Sequence, residues 1–363
     1  MSKNSILQLA SRPAGFLSDV PVPGDGIAIS SRIRLARNLS GYPFPCNASA
    51  ALKREVAALV MEAAAKSRCF PEKSSMFFPL SSLGANDLLI LLERRLASRE
   101  FISAPDGAVL ITTSDERLSV MVNEEDQLRI QAVMPGFQLG KLWKKISSAD
   151  DKLGANLSYA WDEKFGFLTA CPSNTGTGLR ASVMLHLPAL VITGLISPTL
   201  EGIKQLNLAV RGLRGEGTKN HGNLFQISNQ RTLGVSEEQS ISELSEAIVR
   251  IIEGEKEARR KIMESKRTLV YDKAGRAYGC LKYGYSLPLD EAFYLLSCLR
   301  LGVNLGLFNA VDIPLINKMQ LAIQPGHLGC MMSEKTTPDD CDERRAMVCR
   351  TLLKKGSAAG RAG

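Results

Sequence analysis

Histidine is scarce in this chain. The three residues, His186, His221 and His327, form no metal triad. His186 falls in an alternating run and reads as a structural strand residue. There is no G-x-S-x-G elbow, which argues against a serine hydrolase of that type. There is no Walker A lysine motif, so any nucleotide has to be held another way. The eight cysteines show no CxxC pair and no Cys/His ligand spacing. With no signal peptide at the start, they read as reduced, mostly buried thiols of a cytoplasmic protein. The longest apolar run, Leu185 to Ile196, is broken by Pro188 and Gly194 and is too short to span a bilayer. Internal repeats and long low-complexity segments are also missing.

What is present fits a folded chain of two domains: 363 residues, 45% of them hydrophobic. The formal charge of +8 favours anionic partners, phosphates or nucleic acid among them. Residues 1–26 read as a weakly patterned arm ending in a Pro/Gly turn. Strands are expected at Ile27–Arg34, Ala108–Thr112, Leu118–Val122, Leu128–Val133, Phe165–Ala170, Leu206–Arg211 and Asn223–Asn229, with another following Gly178. Helices are expected over 49–66, 84–97, 138–160, 188–204 and 237–268, the last capped by Ser236 with Gln239 three residues on. Residues 289–355 look helical. Sequential hairpins imply an α+β fold, a largely antiparallel sheet flanked by helices, followed by a smaller helical domain. The expected division is 27–255 for the first domain, 256–355 for the second and 356–363 for a flexible tail.

Four runs carry chemistry. The first is Cys171–Pro188, a polar glycine-punctuated loop that becomes a strand. Its loop can bring backbone N–H groups to an anion, and Val183, Leu185 and Leu187 lie opposite Arg180, Ser182, Met184 and His186. The second is Ser30-Ser31-Arg32-Ile33-Arg34, which puts two guanidinium groups on one strand face. Phosphate between them would relieve their repulsion; a plain solvated face is the alternative. The third is Asn123-Glu124-Glu125-Asp126 with Arg129 beyond it, either a solvated hairpin tip or a base and cation site. The fourth is Arg211–Gly217, a glycine loop carrying Glu216, or simply a turn. Together they fit phosphoryl transfer, which depends on positioning and charge neutralisation.

These runs, in this order and with Asn223–Gln230 behind them, resemble the ATP:guanidino phosphotransferases, the phosphagen kinase superfamily. Within it they resemble the bacterial protein-arginine kinases of the McsB type. The likeness runs through most of 27–255 and more loosely to about 350. It implies a glutamine-synthetase-like catalytic sheet and transfer of the γ-phosphoryl of MgATP to protein arginine. By the resemblance, Ser30, Ser31, Arg32, Ile33, Arg34, Arg95, Arg129, Arg180, Ala181, Ser182, Val183, Met184 and Arg211 through Glu216 (Gly212, Leu213, Arg214, Gly215) contact ATP. Glu125 and Glu216 grip the substrate guanidinium, Glu125 as base, with Cys171 beside it. Mg²⁺ arrives on ATP, with help from Glu124. Arg95 stands where related kinases often have histidine, and Lys219 where an acid is common. A phosphoarginine-binding motif, Arg-Asp-x-x-Arg-Ala, is matched by Asp342, Arg345 and Ala346, with Cys341 in place of its first arginine. The resemblance further implies a homodimer, a zinc-binding activator protein and a Clp-type protease as partners in protein quality control and the stress response. Rival readings are a small-molecule guanidino kinase, a non-catalytic phosphoarginine-binding adaptor and a nucleic-acid binder.

Overall fold

The computed structural model describes residues 3–17, 26–212, 222–330 and 338–359. Eight strands form one antiparallel sheet: β1 (Ala28–Arg37), β2 (Ser75–Pro79), β3 (Val109–Thr113), β4 (Leu118–Val122), β5 (Leu128–Pro135), then, after the short ribbon β6 (Trp161–Asp162) and β7 (Gly166–Phe167), β8 (Leu179–His186), β9 (Leu208–Gly212) and β10 (Leu224–Asn229). Their order across the sheet is β2-β3-β4-β5-β1-β8-β10-β9. The helices are α1 (Lys3–Ala10), α2 (Ala50–Ser67), α3 (Ala85–Glu93), α4 (Arg99–Ser103), α5 (Leu139–Gly154), α6 (Pro188–Thr193), α7 (Ile196–Gln205) and α8 (Glu237–Ser265). The helical region that follows holds α9 (Arg267–Tyr283), α10 (Leu289–Asn304), α11 (Ile313–Ala322), α12 (Pro325–Gly329) and α13 (Pro338–Ala359).

The strand alternation sorts side chains onto two faces. Ile33, Leu35, Ile130, Ala132, Leu179, Ala181, Val183 and Ile227 face one way and bury against α2, α5 and α8 in the main core. The opposite face carries Arg32, Arg34, Arg129 and Arg180. A second apolar cluster, with Leu281, Leu296, Leu299, Ile316, Met319 and Leu353, holds the helical region together. Among the described residues no helix is long and apolar enough to cross a membrane.

Several expected boundaries shift for local reasons. The segment read as an arm contains α1, whose Ile6 and Leu9 are buried against Phe78, Leu80 and Leu91. Eight residues with two buried apolar positions give too short a period to register in sequence. The helix expected to reach residue 97 ends at Glu93, because Arg95 turns back at φ 60°. The helix expected to reach 160 stops at Gly154. The helix expected over 188–204 is two, α6 and α7, broken at Gly194. The strand expected over Phe165–Ala170 is reduced to Gly166–Phe167, and Ser236 caps α8 as expected, accepting from Gln239 N at 3.1 Å.

Buried ions tie the layers. Glu255 of α8, fully buried, accepts from the N–H groups of Ala189 and Leu190 at 3.1 and 3.0 Å and from Arg259 Nε at 2.9 Å. A carboxylate there satisfies the open N-terminus of α6. Arg94 and Glu93, adjacent at the end of α3, join three parts of the chain. Arg94 donates to Glu116 Oε1 at 2.8 and 2.6 Å and to the carbonyls of Arg12 and Pro13 at 3.0 and 2.9 Å. Glu93 accepts from the N–H groups of Gly326 and His327 at 2.6 and 3.1 Å and lies 2.6 Å from His327 Nδ1. Replacement of Arg94 by methionine leaves Glu116 buried without its cation. Urea unfolding of Arg94→Met is expected to show a loss of about 3–5 kcal/mol; a midpoint equal to that of the parent chain would contradict this assignment.

Candidate active site

The arginine face begins with β1. Ser30, Arg32 and Arg34 alternate with Ser31, Ile33 and Leu35, and the register places Arg34 opposite both Arg180 on β8 and Gln131 on β5. Arg32 stands opposite Ser182 and Ala36 opposite Arg129. Arg211, near the end of β9, pairs through β10 residue Gln226, which in turn lies opposite Met184. Directly opposed like charges destabilise a sheet, so this arrangement is costly when empty. Burial, reinforced by Arg129, Arg180 and Arg211, lowers the Arg32 pKa to about 10. Burial together with Arg32, Arg129 and Arg180 pushes Arg34 well below its ordinary value. Guanidinium groups remain charged at neutral pH even so. Arg34 Nε is buried with no hydrogen-bond partner among the described residues. A crowd of partly desolvated cations with an unmet donor is a site prepared for a polyanion.

The acidic turn at 123–126 closes one end of that face. It is a tight turn pinned from inside, unlike the solvated tip that sequence left open. Asn123, at φ 59°, donates through Nδ2 to the carbonyls of Lys53 and Gly107 at 2.7 and 2.8 Å. Asp126 is fully buried, and its Oδ1 accepts from Asn38 Nδ2 and from the N–H of Ala170, both at 2.7 Å. Burial pushes the Asp126 pKa up against these bonds. Between these anchors the two glutamates diverge. The Glu124 side chain is 1% exposed, accepts from Ser98 Oγ at 2.5 Å and pairs with Arg129 at 2.5 Å. Glu125 is 42% exposed, with only long bonds from Arg129 Nη2 at 3.3 Å and Asn174 Nδ2 at 3.4 Å. It is the acid left available to a ligand.

The bond from Ala170 to Asp126 ties the acidic turn to the backbone just before Cys171. The thiol lies 3.0 Å from Ser173 Oγ. Cys171 and Glu125 both lie close enough to Arg180 to push its pKa back up, against burial and the neighbouring Arg211 and Arg129. The glycine loop beyond the cysteine does not cradle an anion. Its N–H groups are spent inside the protein: Gly176 on Phe167 O at 3.3 Å and Thr177 on Thr232 O at 3.0 Å. Gly176 (φ 111°) and Gly178 (φ 64°) are required by close approach. A Cβ at Gly176 would strike Thr232 O, and one at Gly178 would lie 2.6 Å from Ala36 O. The loop is held by Arg37, which donates to Thr177 O at 2.9 Å and to Asp150 at 2.7 and 3.0 Å, its guanidinium 3.4 Å above the Phe167 ring.

The structure thus brings Arg32, Arg34, Arg129 and Arg180 together on one face of the sheet, with Glu125, Cys171 and Arg211 within electrostatic reach of Arg180. Of the other expected residues, Ser30, Ser182 and Met184 share this strand face and Arg95 lies against Ser30, while the rest fall elsewhere. Ile33, Ala181 and Val183 project into the core on the far face of the sheet. Ser31 Oγ donates to Gly136 O at 2.8 Å and accepts from Gln138 N at 3.0 Å, so it braces the turn before α5. Ser182 is buried, and Met184 packs with Phe16 and Leu321. Arg95 rests 4.1 Å above the Phe16 ring with Nη1 3.4 Å from Ser30 Oγ. Gly212 ends β9, and Leu213, Arg214, Gly215, Glu216 and Lys219 lie outside the described residues. In the helical region Arg345 is buried. It donates to Ile323 O at 2.9 Å and Leu287 O at 2.6 Å and pairs with Asp342, while Ala346 is in the core. These side chains brace the bundle. Among the described residues no group of three or more His, Cys, Asp and Glu could hold a metal, and Glu124 is committed to Ser98 and Arg129. Ser98, Asn174, Asn38 and Asp126 were not assigned roles from sequence; Asn174 and Asp126 stood inside runs already singled out.

Residues 55–258 match the family model of the ATP:guanido phosphotransferase C-terminal catalytic domain, and residues 267–362 that of the protein-arginine kinase McsB C-terminal domain. A protein-arginine kinase of Moorella thermoacetica is 42% identical over 332 residues, 91% of this chain and 95% of the relative. One from Halalkalibacterium halodurans is 41% identical over 92% of this chain and 93% of its own length. Among solved structures, lombricine kinase shares 25% identity with a TM-score of 0.56, covering 71% of each chain. A duplicated taurocyamine kinase from Schistosoma mansoni with bound transition-state-analogue components has the same identity and TM-score, over 69% of this chain and 38% of its own. From the matched domains and the near-full-length relatives, the chain belongs to the protein-arginine kinase family of ATP:guanido phosphotransferases.

Proposed function

We propose that this enzyme moves the γ-phosphoryl group of ATP to arginine side chains of proteins on the arginine face of the sheet, beside Glu125. The observation that carries this reading is the crowding of Arg32, Arg34, Arg129 and Arg180 beside an acid, Glu125, that is only loosely held. Arg32, Arg34, Arg129, Arg180 and Arg211 hold the phosphates. Glu125 and Glu216 hold two N–H edges of the incoming guanidinium, and Cys171 lies against it. One guanidinium nitrogen attacks the γ-phosphorus, the bond to the ADP oxygen breaks, and the nitrogen's proton passes to Glu125. Arginine is a poor nucleophile because its guanidinium stays protonated at neutral pH, so orientation and proton removal are what the enzyme has to supply. Fixed cations around the phosphoryl group add the electrostatic part. Mg²⁺ enters as part of the MgATP substrate and neutralises charge on its phosphate oxygens.

Further parts of the reading rest on likeness to the family. We place the domain division near residue 256 and infer a cytoplasmic homodimer working with an activator protein and a Clp-type protease in protein quality control. Arg345 and Asp342 are bound into the helical bundle, and Cys341 replaces an arginine, so phosphoarginine sensing at that motif does not form part of the proposal.

Incubation with MgATP and a protein substrate, followed by mass spectrometry at neutral pH, is expected to find phosphoarginine on the protein and little turnover of free arginine. Turnover of free arginine in place of protein would select the small-molecule reading. Glu125→Ala is expected to lower the phosphorylation rate by about 10²-fold or more, with an unchanged melting temperature because the side chain is exposed. A variant of near-normal rate would remove Glu125 from the chemistry. Arg34→Met is expected to leave the ligand-free protein at least as stable, since a repelled cation is gone, while abolishing the rise in melting temperature that ATP produces. Loss of stability without loss of ATP response would mark Arg34 as structural.

A further inference from the structure

Three large apolar side chains stand in solvent on segments bonded to the cysteine loop. Trp161 is 58% exposed, Phe165 44% and Leu233 49%. Trp161 opens β6 and Phe165 stands just before β7. Leu233 follows Thr232, which grips the loop from its other side. The ribbon and Leu233 close on the same residue, Gly176. Phe167 and Gly176 exchange backbone hydrogen bonds of 2.8 and 3.3 Å. A Cβ on Gly166 would lie 2.6 Å from Gly176 O, and one on Gly176 would lie 2.9 Å from the Cα of Leu233. The backbones of Gly166, Gly176 and Leu233 are therefore in contact, and Phe165 and Leu233 come from the two segments that meet there. The platform is braced. Asp162 Oδ1 accepts from the N–H groups of Lys164 and Phe165 at 2.8 and 2.9 Å. The Trp161 ring meets Phe167 edge to face, 4.8 Å between centroids. Thr232 Oγ1 donates to the carbonyls of Ser173 and Thr175 at 3.0 and 2.8 Å. Single exposed apolar residues are ordinary, but three on segments joined at one loop mark a contact surface.

This surface continues from the base candidate. Asn174 Nδ2 lies 3.4 Å from Glu125 Oε2. From Asn174 to Gly176 is two steps of chain, which span at most roughly 7 Å. A protein arginine held by Glu125 brings its own neighbours to this part of the loop. At about 3.3 Å per extended residue, side chains a few positions from that arginine reach the ground between Phe165 and Leu233. We propose that Trp161, Phe165 and Leu233 form the docking surface for the substrate polypeptide, taking an apolar or aromatic side chain that flanks the arginine to be phosphorylated. This deepens the reading given above and rests on it, since it presupposes a protein arginine at Glu125 and names what surrounds it. Burial of the flanking side chain supplies affinity, and the braced ribbon loses little freedom on contact. The contact is remote from the reacting atoms and is made equally before and during phosphoryl transfer. It therefore lowers KM and leaves kcat alone. Free arginine has no flanking residues and gains nothing from the surface, so the same three side chains favour a polypeptide over the amino acid.

Two peptides test this with the full chain and MgATP. Each has a single arginine; one carries leucine and the other serine at the second to fourth positions on both sides of it. In the parent chain the leucine peptide is expected to have the lower KM, on the order of tenfold, with a similar kcat. Phe165→Ser combined with Leu233→Ser is expected to raise the KM of the leucine peptide to that of the serine peptide. The serine peptide's kinetics, the KM for ATP and the melting temperature are expected to stay as they were, because both side chains are exposed. Trp161→Ser is expected to act in the same direction. Equal KM values in the parent chain, or a leucine preference that survives in both variants, overturns the docking surface while leaving the phosphorylation chemistry standing. Phosphoarginine formed on a protein but on neither peptide does the same. A chain that phosphorylates neither peptides nor proteins overturns the kinase reading itself, and the docking surface with it.

Discussion

Like charges held together against their repulsion are the constraint on which this molecule depends. Arg34 and Arg180 face one another across neighbouring strands, with Arg32 and Arg129 nearby, and no backbone adjustment can separate them without undoing the sheet. The opposite face supplies the restraint. Ile33, Ala181, Val183 and Ile130 are fully buried, and their packing on α5 and α8 fixes the strands that carry the cations. Hydrophobic burial on one side therefore sustains electrostatic tension on the other, and an anion releases that tension when it binds.

The acidic side is held by a different means. Asp126, the fourth residue of the turn, binds Asn38 at the end of β1 and Ala170 at the start of the cysteine loop. One buried carboxylate thus ties the turn that carries the base candidate to the loop that carries the thiol. The glycine loop, which sequence reading favoured as a cradle, is a packing device, its glycines admitting Thr232 and Ala36 at close range.

Much of the fold was legible because alternation and hairpins report on neighbours in sequence. Ile33 and Leu35 against Arg32 and Arg34 is readable from four residues. Where legibility failed, distant partners decided. Ser31 is absorbed by Gly136 and Gln138, more than a hundred residues away. Arg345 looks like a ligand-binding arginine in sequence, yet its guanidinium answers the carbonyls of Leu287 and Ile323. The break of 188–204 into two helices was visible as Gly194, and the short α1 was not visible because two apolar positions do not make a period.

The ten residues of β1 have a further consequence. Odd and even positions answer to separate demands, one set to the packing of α5 and the other to ligand charge. Loss of one residue from this strand would exchange the two sets, setting guanidinium groups into the apolar layer and isoleucine onto the ligand face. Changes in length at β1 are therefore tolerable only in pairs, and the strand's reading frame, more than any single side chain in it, is what inheritance has to preserve.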